Sequence, residues 1–280
     1  MQALATLSVE EAEQFRSDGY IVKPGLLSAA AVEAASADVD RYASSEPLFD
    51  GRNVAAYEQL CGLITDPVTL GVVEELMEGA AFTLHHCHAA RHSEGLRGVS
   101  WHHDYEQIPQ TNRSHLQVHV LHYLAGLDGT IGDLLLLKGS HRAVMRRDAL
   151  YSMGTEDLPG TVVIDSLPPG SVVFAHSALV HARRPKPGGG SNPRYFIDIA
   201  FVQDGVQWPS YGRPGWREML QRLDAAHHQA DRPRLFDPAA FFDIADAVAR
   251  IGNAAGSIAM LLPEVDPSAR PTDGAIPIVQ

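Results

Sequence analysis

The middle of the chain consists of short apolar segments separated by glycine, proline and aspartate turns, and this pattern restricts the possible folds more than any other feature. In residues 115–124, Val118 and Val120 alternate with Gln117 and His119. Residues two apart on a strand share a face, so this segment predicts a strand with one apolar and one polar face. Strands at such short spacing favour a β-sandwich or barrel. Further strands are predicted at residues 20–22, 82–88, 133–137, 171–176 and 194–202.

Helical patterns flank these strands on both sides. Ser8 and Glu11 form a capping box, which predicts a helix to about Ser17. Other helix starts are predicted at Ser28, Asp66, Trp216 and Asp237. We therefore expect a mainly β protein with flanking α-helices in one domain, residues 1–280, divided into a helical part (1–80), a β core (81–204) and a helical extension with a tail (205–280).

The last predicted helix carries an apolar stripe at helical spacing. A stripe of this kind predicts either packing against the core or a contact between two copies of the chain, so a homodimer through the C-terminal helices is one expectation. The stripe consists of Phe241, Ile244, Ala245, Val248 and Ile251.

Composition excludes several classes of partner. The net charge of −12 and the pI near 5.5 argue against nucleic acid and anionic membrane surfaces. The two cysteines, Cys61 and Cys87, indicate no disulfide framework. The first residues lack the pattern of a signal peptide, and no apolar run is long enough to span a bilayer. We expect a cytoplasmic protein that acts on a small molecule.

His102 and Asp104 are the strongest candidates for metal ligands. On a strand they would point to one face, and one more histidine would complete a two-His-one-carboxylate set, which suits non-haem Fe(II) that activates O₂. His181 follows a predicted strand far along the chain and is the preferred third ligand, with His176 as its competitor.

An iron site of this kind needs a source of electrons, and a 2-oxo acid can supply them. Its distal carboxylate would need a bidentate cation, for which the guanidinium of arginine has the right geometry. Arg194 begins the strand after His181 and is the preferred anchor, and Arg183 and Arg184 are the alternatives.

Several polar residues are predicted to line a pocket. His86 and His88 share one face of a strand, and Arg91 follows in what is predicted to be a loop. These residues, with Tyr123, are candidate substrate contacts. Gln117 and His119 are candidate co-substrate contacts, although both could equally be satisfied interior polar groups. A zinc cluster at His85–His88 is disfavoured because no second half follows at zinc-finger spacing.

The ordered motifs of residues 8–203 resemble the phytanoyl-CoA dioxygenase family of Fe(II)/2-oxoglutarate-dependent oxygenases. The resemblance implies a double-stranded β-helix (jelly-roll, cupin-like) core, with Fe(II), 2-oxoglutarate and O₂ as cofactor and co-substrates. It implies His102, Asp104 and His181 as iron ligands and Arg194 as the 2-oxoglutarate anchor. The residues that carry the resemblance are Trp101–Asp104, Gly132–Leu134, Gly139–Arg142, Gly170–Phe174, Leu179–His181 and Arg194, with Phe15–Val22 at the start.

Three positions depart from the family's usual pattern. His103 stands where glutamine is common, Arg183 where a small hydroxyl residue is common, and Ile131–Asp133 where Asn-Gly-Pro is common. These changes concern the surroundings of the predicted iron site. The expected reaction is hydroxylation of a small molecule, a secondary metabolite or lipid-like acid, with release of succinate and CO₂. The alternative is a jelly-roll metal enzyme without oxygenase activity, such as a cupin-like isomerase or hydrolase.

Overall fold

Two antiparallel sheets face each other in the computed structural model, which describes residues 7–44, 51–95, 97–107, 113–145, 150–190, 192–244 and 246. The larger sheet has the spatial order β1 (Tyr20–Lys23), β9 (Ser171–His176), β4 (Gln117–Tyr123), β11 (Arg194–Gln203) and β2 (Phe82–His92). The smaller sheet has the order β3 (Val99–His102), β10 (His181–Arg184), β6 (Asp133–Leu137) and β7 (Thr161–Ile164). This two-sheet roll with flanking helices confirms the predicted jelly-roll fold class.

Two further strand pairs lie outside these sheets. Strands β5 (Leu127–Asp128) and β8 (Ser166–Leu167) pair antiparallel. Strands β12 (Trp208–Pro209) and β13 (Phe241–Phe242) pair in parallel. The second pair ties the end of the described chain back to the segment that follows the larger sheet.

The helices precede and follow the β core as the capping signals predict. Helix α1 begins with the predicted capping box, in which Ser8 and Glu11 bond each other's backbone, and it ends at Gly19 in the left-handed region with φ 87°. A Cβ at Gly19 would lie 2.5 Å from the ring of His141, so glycine is also needed for this close approach. The helices are α1 (Val9–Asp18), α2 (Ala29–Ala43), α3 (Glu58–Ile64), α4 (Pro67–Leu76) and α5 (Trp216–His227).

Apolar side chains form three layers that leave a space between the sheets. The largest cluster packs the helices against the outer face of the larger sheet, for example through Val120, Phe174 and Ile199. A second cluster, with Leu121 and Leu136, lies between the sheets. The third covers the outer face of the smaller sheet around Trp101, Leu135, Leu150, Val180 and Ala182.

The predicted start of the C-terminal helix at Asp237 was wrong, although Ile244 and Asp246 further along are helical. Pro238–Ala240 forms one 3-10 turn and Phe241–Phe242 is a strand, so the apolar stripe does not begin on a helix. The extended backbone lets the buried Phe241 ring pack edge-on against Trp216 at 4.8 Å. Ala245, Val248, Ile251 and the predicted tail lie outside the described residues.

No helix in the described part of the chain combines the length and the apolar character needed to cross a membrane.

Candidate active site

His102 and His181 lie opposite each other on neighbouring strands of the smaller sheet. They are register partners of β3 and β10, and their ring centroids are 4.2 Å apart. In each ring, Nδ1 donates to the carbonyl oxygen two residues earlier, over 2.7 Å to Ser100 and 3.0 Å to Leu179. These bonds fix both rings with Nε2 directed at the same point. Metal-binding histidines are commonly oriented in this way.

Asp104 completes this group from beyond the end of the strand. The prediction that Asp104 shares a strand with His102 was wrong, because β3 ends at His102. The backbone N–H of Asp104 donates to the carbonyl oxygen of Ser177 over 2.7 Å, which turns its carboxylate back toward the two rings. One carboxylate oxygen lies 3.7 Å from His102 Nε2 and 3.3 Å from His181 Nε2. The three side chains have the spacing of a metal site.

The electrostatics of this group favour a bound cation. Burial alone would raise the pKa of Asp104, but the hydrogen bond and charge of His181 hold it well below its ordinary value. Burial alone would lower the pKa of His181, but the Asp104 carboxylate raises it. A half-buried carboxylate that stays ionised between two imidazoles is a suitable place for a divalent metal ion.

The competing ligand His176 lies outside this group. It lines the same cavity, but its Nδ1 accepts from the backbone N–H of Ala178 over 3.0 Å. Its ring stacks on Phe15 at 6.4 Å and lies near His141 at 5.1 Å. Burial lowers the pKa of His176 well below its ordinary value. The geometry therefore places His181 with His102 and Asp104, and places His176 among the rings beside them.

Trp101 and His103, which flank His102, hold the segment in place. The Trp101 indole is fully buried and donates to the carbonyl oxygen of Glu156 over 2.7 Å. The buried His103 ring donates from Nε2 to the carbonyl oxygen of Met145 over 3.2 Å, and its Nδ1 accepts from the N–H of Tyr105 over 3.3 Å. Both His103 ring nitrogens are therefore engaged with backbone away from the three ligands.

Arg194 lies on the facing wall, at the start of β11. It is only 3% exposed and lines the cavity, with its guanidinium 4.9 Å from the Tyr123 ring centroid and 5.0 Å from that of Phe196. One nitrogen donates to the Tyr123 hydroxyl over 3.1 Å. Its Nε and Nη1 have no hydrogen-bond partner among the described residues. A buried guanidinium with two unused donors fits a carboxylate ligand.

The alternative arginines differ in position. Arg183 lines the same cavity beside His92, with 3.4 Å between Arg183 Nη1 and His92 Nδ1, and burial lowers the pKa of Arg183 to about 10. Arg184 points away from the cavity and pairs with Asp133 and Asp157. Arg194 and Arg183 therefore remain as candidate anchors for the distal carboxylate of a 2-oxo acid, since both line the cavity.

The cavity between the two sheets measures about 220 Å³. Of the predicted contacts, His88, His119 and Tyr123 line it. Gln117 is buried beside it, and its side-chain oxygen accepts from the N–H of Glu106 over 3.1 Å. The remaining lining includes Val99, Leu121, Leu134, Leu136, Ala175, Ser177, Ala182 and Phe196.

The predicted loop position of Arg91 was wrong, and the structure places this side chain outside the cavity lining. Strand β2 continues to His92 instead of ending at His88, so Arg91 lies on the face opposite to the cavity. Its guanidinium is half exposed, 3.4 Å from Asp40, and it stacks over the Tyr195 ring at 5.8 Å. The same strand extension brings His92 into the cavity lining, whereas the sequence interpretation placed it only in a loop at the mouth of a pocket.

A second group of two histidines and one carboxylate lies on the larger sheet: His86, His119 and Asp198. Asp198 lines the cavity and was also missed, although it is four residues after Arg194 and hence on the same face of β11. His119 Nδ1 lies 2.8 Å from one Asp198 oxygen, and His86 Nε2 lies 3.5 Å from the other. Burial opposes the charge of His119, but Asp198 raises its pKa to about 9.

The fold occurs in solved structures of low sequence identity. HygX from Streptomyces hygroscopicus, solved with nickel, 2-oxoglutarate and hygromycin B, is 18% identical with a TM-score of 0.59, over 72% of this chain and 90% of that one. The carbocyclase SnoK from nogalamycin biosynthesis is 18% identical with a TM-score of 0.60, over 76% and 90%. The epimerase SnoN, solved with Fe³⁺, α-ketoglutarate and nogalamycin RO, is 18% identical with a TM-score of 0.56, over 69% and 82%.

Sequence comparison identifies the family. A search of curated protein sequences gives no significant match. The family model described as phytanoyl-CoA dioxygenase (PhyH) matches residues 15–190, which include the three candidate ligands and most of both sheets. The chain therefore belongs to the phytanoyl-CoA dioxygenase (PhyH) family.

Proposed function

We propose that this protein is an Fe(II)- and 2-oxoglutarate-dependent oxygenase that acts on a small molecule. One observation carries the proposal: His102, Asp104 and His181 converge on one wall of a cavity whose facing wall holds the buried, partly unpartnered guanidinium of Arg194. A metal site alone would not need a buried bidentate cation opposite it. The family and the HygX and SnoN structures, which hold 2-oxoglutarate with a metal, support the same assignment.

Each protein group has a distinct role in this proposal. His102, Asp104 and His181 would hold the metal ion through two imidazoles and one carboxylate. When bound, Fe(II) with a chelating 2-oxo acid supplies the activation of O₂. Arg194 donates to the distal carboxylate and sets the direction of the 2-oxo acid in the cavity. The Tyr123 hydroxyl and the Phe196 ring hold the guanidinium in position.

The cavity wall supports a polar substrate. His88, His119 and Asp198 place ionisable groups on the larger sheet, whereas Leu134 and Leu136 line the smaller sheet. A lining with one polar and one apolar side suits a ring system that carries oxygen or nitrogen substituents. We propose a small secondary metabolite, in agreement with the hygromycin B and nogalamycin compounds in the neighbouring structures.

We propose hydroxylation as the reaction. The neighbours named as an epimerase and a carbocyclase show that this fold carries other outcomes. Succinate release measured across a panel of secondary metabolites tests the proposal, and mass spectrometry of the product identifies the outcome. Addition of one oxygen atom is the expected mass change. A product of unchanged mass, or one lacking two hydrogens, would show that the reaction is not hydroxylation. If succinate is still released, the assignment to 2-oxoglutarate-dependent chemistry would stand.

The same assay tests the alternative of a non-oxygenase metal enzyme. Such an enzyme would convert a metabolite without consuming 2-oxoglutarate, so turnover without succinate would contradict the proposal.

A further inference from the structure

We propose that His86, His119 and Asp198 form a second divalent-metal site, on the larger sheet opposite the candidate iron ligands. This inference goes beyond the proposed function and does not depend on it. The ligand atoms of these three side chains lie within 4.8 Å of one another. His86 and His119 are 7% and 5% exposed, so the group lies inside the protein and is not a patch of surface charges.

The hydrogen bonds of the neighbouring His85 determine which nitrogen of His86 is available. His85 Nε2 lies 3.1 Å from the carbonyl oxygen of Pro209 and 3.1 Å from a Glu106 carboxylate oxygen, so it carries a hydrogen. His85 Nδ1 lies 2.8 Å from His86 Nδ1. With His85 neutral, its Nδ1 accepts and His86 Nδ1 donates. The lone pair of His86 is then on Nε2, which faces Asp198.

The other tautomer of His86 would be costly. If a neutral His86 donated from Nε2 to Asp198, its Nδ1 would be an acceptor, and His85 would have to donate from both nitrogens and carry a positive charge. The His85 ring is completely buried and packs against Tyr211, Trp216 and Phe241. Charging a ring in such surroundings is disfavoured by desolvation. The packing of His85 therefore holds neutral His86 with its acceptor nitrogen directed at a carboxylate.

Two acceptors that face each other across 3.5 Å favour a cation between them. His119 adds a third donor atom, since its Nδ1 lies 2.8 Å from Asp198. Protonation of both imidazoles would instead place two like charges side by side, with ring centroids 5.5 Å apart. A single proton on His119 satisfies only the contact between His119 and Asp198. A divalent metal ion bound to His86 Nε2, His119 Nδ1 and Asp198 would satisfy His86 Nε2 as well, without two like charges side by side.

His86 repeats the design of the first site, whereas Nε2 of His119 has no hydrogen-bond partner among the described residues. At His102 and His181, the far ring nitrogen is held by a backbone acceptor and Nε2 faces a carboxylate at 3.7 and 3.3 Å. At His86, the far nitrogen is held by His85, which is itself held by the Pro209 carbonyl. Two imidazoles and one carboxylate suit Zn²⁺, Co²⁺, Ni²⁺ or Fe²⁺ and disfavour Mg²⁺ and Ca²⁺.

Anaerobic titration of the chelator-treated full chain with Co²⁺ alone tests the site, with calorimetry for stoichiometry and visible absorption for coordination. The wild type should bind one equivalent at each His-His-Asp group. Asp198→Asn and His86→Gln should each lose the second equivalent, and Asp104→Asn should lose the first. His88→Gln, on the same strand and in the same cavity, is the matched control and should keep both.

Wild-type saturation at one equivalent that Asp104→Asn abolishes would overturn the proposal. Unchanged stoichiometry in folded Asp198→Asn or His86→Gln would also overturn it. Circular dichroism melting identifies any variant that fails to fold, and the two variants act on separate strands. Failure of the proposed function is distinguishable, because it would appear as metal binding at Asp104 without any effect of 2-oxoglutarate on the spectrum.

Discussion

The two walls of the cavity hold their polar groups by different means. On the smaller sheet, His102 and His181 are oriented by the backbone carbonyls of Ser100 and Leu179, and Asp104 is turned inward by its own N–H. On the larger sheet, polar side chains orient one another. There Arg194 bonds Tyr123, His119 bonds Asp198, and His86 bonds His85.

This difference predicts different responses to mutation. Backbone-anchored ligands keep their orientation when a neighbouring side chain is removed, because the acceptor is part of the strand. When side chains orient one another, removal of one of them also releases its partners from their positions. We therefore expect mutations on the smaller sheet, which forms the metal wall of the cavity, to act independently of one another. Mutations on the larger sheet, which forms the facing wall, should have coupled effects.

The largest effect is expected on the metal wall. Asp104→Ala should lower succinate formation by more than about 100-fold, since loss of supporting contacts alone costs about 10–100-fold at metal sites. Succinate released per unit time measures it. Asp157→Ala is the control, because this exposed carboxylate pairs with Arg184 on the outside of the smaller sheet. Retention of wild-type succinate formation by Asp104→Ala would remove Asp104 from the site.

A smaller effect is expected at Arg194. Arg194→Ala should weaken 2-oxoglutarate binding by about 10–100-fold, because charge-assisted hydrogen bonds contribute about 1.5–3 kcal/mol. Anaerobic calorimetry with the metal-loaded protein measures the dissociation constant. Arg183→Ala provides the comparison on the same cavity. An unchanged constant in Arg194→Ala together with a weakened one in Arg183→Ala would move the anchor to Arg183.

The same difference explains which parts of the site could be predicted from sequence. His102 and Asp104 are only two residues apart in the chain, so their spacing alone suggested that both bind one metal ion. His119 could be predicted from strand periodicity, and Arg194 from its place at the start of the strand after His181, because both strands were assigned with nearly correct bounds. The assignments that depend on where a strand ends were less accurate.

Arg91 and Asp198 show why other parts of the site could not be predicted correctly from the sequence. Strand β2 runs four residues further than its apolar pattern indicates, because its end is stabilised by pairing with β11 up to His92 and Arg194. Long-range pairing of this kind is not encoded in the local sequence. Asp198 could have been found from the face of Arg194, but its contact with His119 depends on the register of β4 against β11.

A moderate effect on stability is expected at His103. His103→Ala should lower the free energy of unfolding by about 1–3 kcal/mol, because the Met145 carbonyl and the Tyr105 N–H would lose a buried partner. Urea denaturation measures this loss. Metal affinity should change little, since His103 points away from the ligands. A large loss of metal affinity without a loss of stability would contradict this role.

The smallest effect is expected at Arg91. Arg91→Ala removes a half-exposed ion pair with Asp40 and should change the free energy of unfolding by less than about 1 kcal/mol. Succinate formation should stay at the wild-type rate, because the side chain lies on the face opposite the cavity. A clear fall in that rate would restore Arg91 as a substrate contact.

The most direct test of the central claim is anaerobic absorption spectroscopy of the protein with Fe(II) and 2-oxoglutarate. Chelation of the 2-oxo acid by iron at His102, Asp104 and His181 predicts a visible charge-transfer band that requires both components. The band should be lost in His181→Ala, and in Arg194→Ala it should need more 2-oxoglutarate to form. Fe(II) binding without a band in the wild type, or a band that survives His181→Ala, would contradict the proposed site.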